Sequence, residues 1–451
     1  MMRHILFYIA LSSLLFACTK KLDVKPDQSK TVPETIADFQ ALLDNSEQMN
    51  VNIPSFGEAG SDNYYIVDGR YNALTQASER NAYIWGKNIF PVNSLALDWG
   101  GNYTRVNYCN LVLEGLEDMT EDVIAPGYMN AKGSALFFRA FSFYTLAEEF
   151  SKPYDSATAA SDPGIPLRLS SDIQRLYQRA SIQETYDQII GDLTAAVELL
   201  PDITEYKTRP CKAAAFALLA RVFLTLKDYG KALEYAGLSL AIYDDLLDYN
   251  QIDGSGTLSF QSLNKDVLLH ATLSSTGLLR INSTYVDSLL YKEYDDNDLR
   301  KSLFFRQGAN GFTFKGSYSG DVFAQFGGIA VDEIYLIRAE CYARKGDINR
   351  SMDDVNTLLK TRWKTGTYEN MTATDQTEAL EKVLVERRKE LIFRGLRWTD
   401  LRRLNKDARF AKTITRVVNG MTYQLAPNDP RYVYPIPDDE IRLSGIQQND
   451  R

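Results

Sequence analysis

From about Asn102 to Leu404 the apolar residues recur at helical spacing, with one long interruption. In Cys211 to Leu226 the residues Phe216, Leu219, Ala220, Phe223 and Leu224 fall at i, i+3, i+4, i+7 and i+8, a stripe that needs a partner helix to cover it. Lys227-Asp228-Tyr229-Gly230 predicts a tight turn. A second stripe of Ala232, Leu233, Ala236, Leu240 and Ile242 then closes an antiparallel hairpin. The spacing recurs: Ala220 to Asp228 to Ala232 is eight and then twelve residues from the start, and so is Ala339 to Asp347 to Ser351. Ala131 to Phe150 with Ser181 to Leu200 reads as a third, looser pair, split by the Pro-containing Lys152 to Leu169. The expected architecture is mainly α, with helix-turn-helix units similar to tetratricopeptide repeats, long irregular insertions and a few short strands.

The insertions, about 54–90 and 251–330, are rich in Gly, Asn, Ser and aromatics, with only short strand-like runs such as Thr313-Phe314-Lys315. They are the expected functional loops on a structural scaffold.

Composition narrows the chemistry. The 451 residues carry 50 Lys and Arg against 59 Asp and Glu, a net charge of -9, which excludes a nucleic-acid backbone as the expected partner. Only His4 and His270 are present, so His-rich zinc sites have no ligands, and His270, within Val267-Leu268-Leu269-His270-Ala271, reads as a satisfied core residue. Phosphate-binding glycine loops are absent, and in Gly316-Ser317-Tyr318-Ser319-Gly320 a Tyr stands where a serine nucleophile belongs. No cofactor is expected. Asp253 to Thr257 and Asp295 to Asp298 offer oxygens for a structural Ca²⁺, but neither has the full loop with its distal Glu, and both read as turns. Cys109, Cys211 and Cys341 each lie in an apolar pattern and read as core residues, with a disulfide between two of them left open.

The N-terminus points to export. Arg3 and His4 precede an apolar run, Ile5 to Ala17, too short to span a bilayer, and Cys18 follows directly. Leu15-Phe16-Ala17-Cys18 resembles a bacterial lipobox, which makes Cys18 the expected lipid-attachment residue, 1–17 the signal peptide and 18–33 a tether ahead of a single domain at 34–451.

Several segments together resemble the SusD/RagB lipoproteins: Cys18 to Pro26; Trp99, Tyr103 and Asn110; Val331 to Glu340, similar to the family's E-x-Y-L-x-x-A-E helix; Glu386 to Leu391 with Gly395 to Arg403, similar to E-R-R-x-E-L and G-x-R-W-x-D-L-R-R; and Tyr434 to Ile441 with Gln447-Gln448-Asn449. Arg394 departs from the pattern, standing where an acidic residue commonly precedes the Gly, and the Arg often found ahead of the E-x-Y-L helix is absent. The resemblance implies a non-enzymatic outer-membrane lipoprotein facing the cell exterior. It would capture a nutrient glycan and deliver it to a SusC-like TonB-dependent transporter.

Read without the family, Glu386, Arg387, Arg388, Glu390, Arg394 and Arg397 place ion pairs at helical spacing around Leu391, Ile392 and Trp398, a structural clasp. Treating Glu386 and Glu390 as an acid/base pair is disfavoured, since so many arginines keep carboxylates ionised. A sugar site needs an exposed aromatic platform ringed by polar partners. Asp62, Asn63, Tyr64, Tyr65, Tyr71, Tyr83 and Trp85 offer that mixture, with Trp85 and Tyr65 foremost, and Tyr291, Tyr294 and Tyr318 form a second candidate wall. A helical-repeat scaffold binding an exported protein or peptide is the first alternative. A surface glycosidase using two loop carboxylates is the second, without supporting spacing.

Overall fold

The computed structural model describes residues 33–91, 94, 96–119 and 125–451; the expected signal peptide, Cys18 and the expected tether up to residue 32 lie outside the described residues. The chain is mainly helical, and its helices pair as the stripes predict. The helix Pro126–Phe150 packs on Ile182–Leu199, Lys212–Thr225 on Tyr229–Ile242, and Val331–Arg344 on Ile348–Lys360. The units are also adjacent in space. Ile182–Leu199 packs on Lys212–Thr225, and Tyr229–Ile242 on Val331–Arg344, so the stack continues across the interruption between 243 and 330.

Small residues sit where helices approach. Ala220, Ala232, Ala339 and Ser351 are fully buried, and the Ser351 hydroxyl donates to the Ala339 carbonyl at 2.8 Å, binding one helix of its hairpin to the other. Each turn uses an αL residue and an Asp cap. Lys227 (φ 61°) precedes Asp228, whose carboxylate accepts from Lys231 N at 3.0 Å, and Gly346 (φ 80°) precedes Asp347, which accepts from Arg350 N at 3.2 Å. Gly230, expected in the turn, is already helical. Lys212–Thr225 is buried almost all round, because helices cover it on two sides, and a single stripe understates this.

The insertions are not plain loops. Region 54–90 contains short helices at Phe56–Gly60, Asp68–Asn72 and Ala77–Tyr83, too short to leave a periodic signature. Region 251–330 contributes strands to a four-stranded antiparallel sheet in the order β1 (Tyr64–Tyr65), β2 (Tyr285–Val286), β4 (Gly311–Phe314), β3 (Phe305–Gly308). Tyr65 pairs with Tyr285, and Tyr285 with Thr313, so the sheet joins the two insertions to each other. The main core runs from Phe39 to Ile446, with smaller clusters around Val355 and Val383 and around Leu358 and Leu391.

The family-like motifs are braces. Trp99 Nε1 donates to Glu440 (3.2 Å), Tyr103 to the Pro166 carbonyl (2.9 Å) and Asn110 to the Arg168 carbonyl (2.9 Å). Gln448 exchanges hydrogen bonds with both backbone groups of Ile436, at 2.8 and 2.7 Å. The clasp exists, but most of its partners come from other elements rather than from i, i+4 positions. Arg387 pairs with Asp400 (2.9 Å), Arg397 with Asp62 (2.7 Å), and Glu390 with Arg362 (2.7 Å). Arg394, the departure from the family pattern, is answered by Asp332, which accepts from both of its terminal nitrogens at 2.8 and 2.7 Å.

Cys109, Cys211 and Cys341 are buried free thiols. His270 is only partly buried, and its Nδ1 has no partner, so it is not the satisfied residue expected; burial lowers its pKa and keeps it neutral. Among the described residues no group of three His, Cys, Asp or Glu side chains could hold a metal, and no helix is long and apolar enough to cross a membrane.

Candidate functional site

A groove of about 330 Å³ opens where the first insertion meets the C-terminal part of the chain. One wall comes from Asp62, Tyr65 and Ile66, another from Asp287 and Leu289, and the third from Arg388 and Lys412 to Val417. The third wall follows from strand alternation. In β5 (Ile414–Val418), Ile414, Arg416 and Val418 face inward, while Thr415 and Val417 are exposed, as are Lys412 and Thr413 just before it. β5 pairs with β6 (Met421–Leu425) through Asn419 (φ 50°) and Gly420 (φ 75°), a two-residue turn whose positive φ at both positions favours Asn-Gly. None of residues 412–418 was expected from the sequence, although Ile-Thr-Arg-Val-Val ahead of Asn-Gly is the alternating-strand-plus-turn signal that finds them.

The expected site residues divide sharply. Asp62, Tyr64, Tyr65 and Tyr83 line the groove, and Tyr65 alone of these aromatics is partly exposed, its ring stacked on Tyr285 with centroids 5.6 Å apart. Trp85, expected as the main platform, is 1% exposed: its indole N–H donates to the Gly60 carbonyl at 2.9 Å and no ring face is free. Tyr64 donates to Ala59 O (2.7 Å) and Tyr83 accepts from Ile66 N (2.9 Å), both as core residues. Tyr294 donates to Lys389 O (2.8 Å) and Tyr318 to Asp266 (2.8 Å), also buried, so neither forms a wall. Asn63 is buried against Glu58 (2.9 Å). Tyr71 and Tyr291 are partly exposed but lie outside the groove lining; Tyr291 stacks on Phe312 at 3.7 Å. The polar sequence around Trp85 misleads because Arg416, more than three hundred positions away, supplies the cation that its ring and those of Tyr64 and Tyr83 pack around, at 4.8, 5.1 and 4.0 Å.

Charge is concentrated at the groove. Asp62 accepts from Arg397 Nε at 2.7 Å, lies 3.3 Å from Arg388 and pairs with Lys412. Burial pushes the Asp62 carboxyl upward, but Arg397, Arg388 and Lys412 together hold it well below the usual carboxylate range. Arg416 makes no ion pair among the described residues; its guanidinium donates to the carbonyls of Tyr83, Ala59 and Ser61. Such a surface can hold a polar ligand against a ring face. Glu386 and Glu390 do no acid/base work here, since both are buried and held by Arg300, Arg362 and Lys389.

The helical-repeat stack thus carries a mixed aromatic and polar groove at its side. Residues 20–224 match a family described as "Starch-binding associating with outer membrane", and residues 332–450 match the SusD family. The chain belongs to the SusD family, whose members are non-catalytic, carbohydrate-binding and associated with the outer membrane. It is 27% identical over 430 residues to SusD-like protein P2 of Formosa agariphila, covering 78% of this chain and 79% of that protein. A SusD superfamily protein from Bacteroides thetaiotaomicron has the same fold, with a TM-score of 0.75 at 21% identity over 92% of this chain and 100% of that one. A laminarin-binding SusD-like protein superposes with a TM-score of 0.67 at 18% identity, over 92% and 98% of the two chains.

Proposed function

We propose that this protein captures an oligo- or polysaccharide in the groove beside Tyr65 and delivers it to a SusC-like TonB-dependent transporter, held in the outer membrane by lipid on Cys18 and facing the cell exterior. The observation that carries this reading is the groove itself. It sets the partly exposed Tyr65 ring beside the Thr413 and Thr415 hydroxyls and the Asp287 carboxylate, the combination that sugar C–H faces and hydroxyl rims require. The laminarin-binding relative supports a glycan as the ligand class.

The reading is tested by native electrophoresis of the protein in gels containing single polysaccharides, and by purification of the tagged, lipidated protein from detergent-solubilised outer membranes of its native host. Retardation by at least one glycan without new reducing ends, together with a stoichiometric barrel transporter in the purified material, is the expected result. No retardation across a broad panel sinks the glycan assignment; absence of the transporter, with other outer-membrane complexes intact, sinks the delivery step.

A further inference from the structure

The groove has more cations than carboxylates, in a chain whose net charge is -9. Arg388, Lys412 and Arg416 line it, and Arg397 pairs with Asp62 from outside the lining. Among the described residues Asp62 is the only carboxylate in contact with Arg388, Arg397 and Lys412, apart from Asp287, which stands 3.9 Å from Arg388 and caps a short helix by accepting from Leu290 N at 2.9 Å. Glu58 lies deeper, with its oxygens taken by Asn63, Ser61 and the Gly395 N–H. Arg416, beneath the aromatic floor, adds a positive charge that no carboxylate among the described residues pairs with.

Accessibility separates these cations. The Lys412 side chain is 43% exposed, Asp287 34% and Arg388 19%, whereas Asp62 is 8% exposed and enclosed by its three partners. An ammonium has three donors, and Asp62 engages Lys412 through one oxygen, so further donors remain for a ligand in the groove. A neutral glycan needs acceptors as much as donors, because each hydroxyl is both. A groove whose accessible charges are two cations, Lys412 and Arg388, against the single carboxylate of Asp287, flanked by Thr hydroxyls and one ring, instead suits a chain carrying fixed anions.

We propose that the groove selects an acidic glycan, one bearing carboxylate or sulfate groups, with Lys412 and Arg388 as the residues that bind the anion and Tyr65 as the ring beneath the sugar. This rests on the glycan reading of the same groove and goes beyond it in naming the ligand's charge.

The test uses the full described chain and three probes, laminarin as the neutral glycan, polygalacturonate as the carboxylated one and a carrageenan as the sulfated one, each by gel retardation and calorimetry at two salt concentrations. Binding to polygalacturonate or carrageenan at least about tenfold tighter than to laminarin is expected, weakening with salt; Lys412→Gln should lose about tenfold on the acidic probe, more than it loses on laminarin, while the melting temperature holds. Which acidic probe prevails distinguishes carboxylate from sulfate. Lys360→Gln, an exposed lysine outside the groove lining, should change nothing. Tight laminarin binding with no gain on either acidic probe overturns the inference and leaves the glycan reading intact. Equal losses in Lys412→Gln and Lys360→Gln also overturn it, since that would mark diffuse attraction. Failure of all three probes, and of the wider panel, removes both.

Discussion

Arg300 and Glu390, ninety positions apart, meet at 2.9 Å with both side chains fully buried. Arg300 comes from the second insertion and Glu390 from the last turn of Gln376–Glu390, so this contact ties that insertion to the helix that also carries Arg388. The same guanidinium also donates to Glu386 at 2.6 Å and to Asp298 at 2.7 Å, and Glu390 in turn accepts from Arg362.

Removing one member strands the others. Arg300→Ala leaves three buried carboxylates short of a partner and is expected to cost about 3–5 kcal/mol, read as a fall in the urea midpoint. A loss below about 1 kcal/mol would mean that water or rearrangement satisfies the cluster, and that the clasp is decorative.

Trp85 and Tyr65 should behave oppositely. Trp85→Ala opens a cavity in the core and is expected to lose about 3–5 kcal/mol of stability. Tyr65→Ala costs about 1 kcal/mol of cross-strand contact with Tyr285, yet weakens glycan binding by about ten- to a hundredfold. Melting curves and calorimetry on the two variants check this; a binding defect confined to Trp85→Ala would restore it as the platform.

A buried carboxyl pair sets a pH response. Glu149 accepts from Gly57 N at 2.6 Å, and its other oxygen, with no donor partner, adjoins Asp98, which accepts from Ser55 and Phe56 N–H groups at 2.7 and 2.8 Å. Burial first, and the Asp98 charge second, push the Glu149 carboxyl well above its usual range, against the weaker pull of Arg402. The folded state therefore holds a proton that the unfolded state gives up, so this group's contribution is full below the unfolded carboxyl pKa and fades as pH rises towards the folded one. Glu149→Gln, which keeps a donor towards Asp98 at every pH, is expected to gain stability over wild type as pH increases. A gain that shrinks with pH contradicts the assignment.

The buried thiols give a simple probe of the native state. Burial pushes the Cys109 and Cys341 thiols up to about 12. In a chain starting at Thr19, a thiol reagent should find no reactive cysteine near neutral pH and three after denaturation. Rapid labelling of the folded protein would show that these helices open readily.

The stack was legible because its information is local. Ala220 and Ala232 lie within one hairpin, and their small size and spacing report a contact made inside a few turns of chain. The groove was legible only where local rules apply, at Tyr65 and Asp62, and through the unused Asn419-Gly420 turn that would have exposed Lys412 to Val417. What hid Trp85, Tyr83 and Tyr64 was distance along the chain, since their burial depends on Arg416 and no window around residue 85 contains it. Tyr318 was hidden likewise by Asp266 and Tyr249, which take up its hydroxyl.

The interruption leaves the stack after Ile242 and rejoins it at Val331, on a helix that packs directly against the one it left. Closing such a loop costs only about 0.6 kcal/mol more for each doubling of its length. The scaffold therefore sets almost no limit on how long that excursion is. The limit comes from what the excursion buries when it returns: Arg300 among its partners, and apolar side chains such as Leu269, Leu273, Tyr294 and Phe304 that complete the core. A lineage that keeps those anchors is free to lengthen or rewrite the exposed stretches between them while the stack beneath stays as it was.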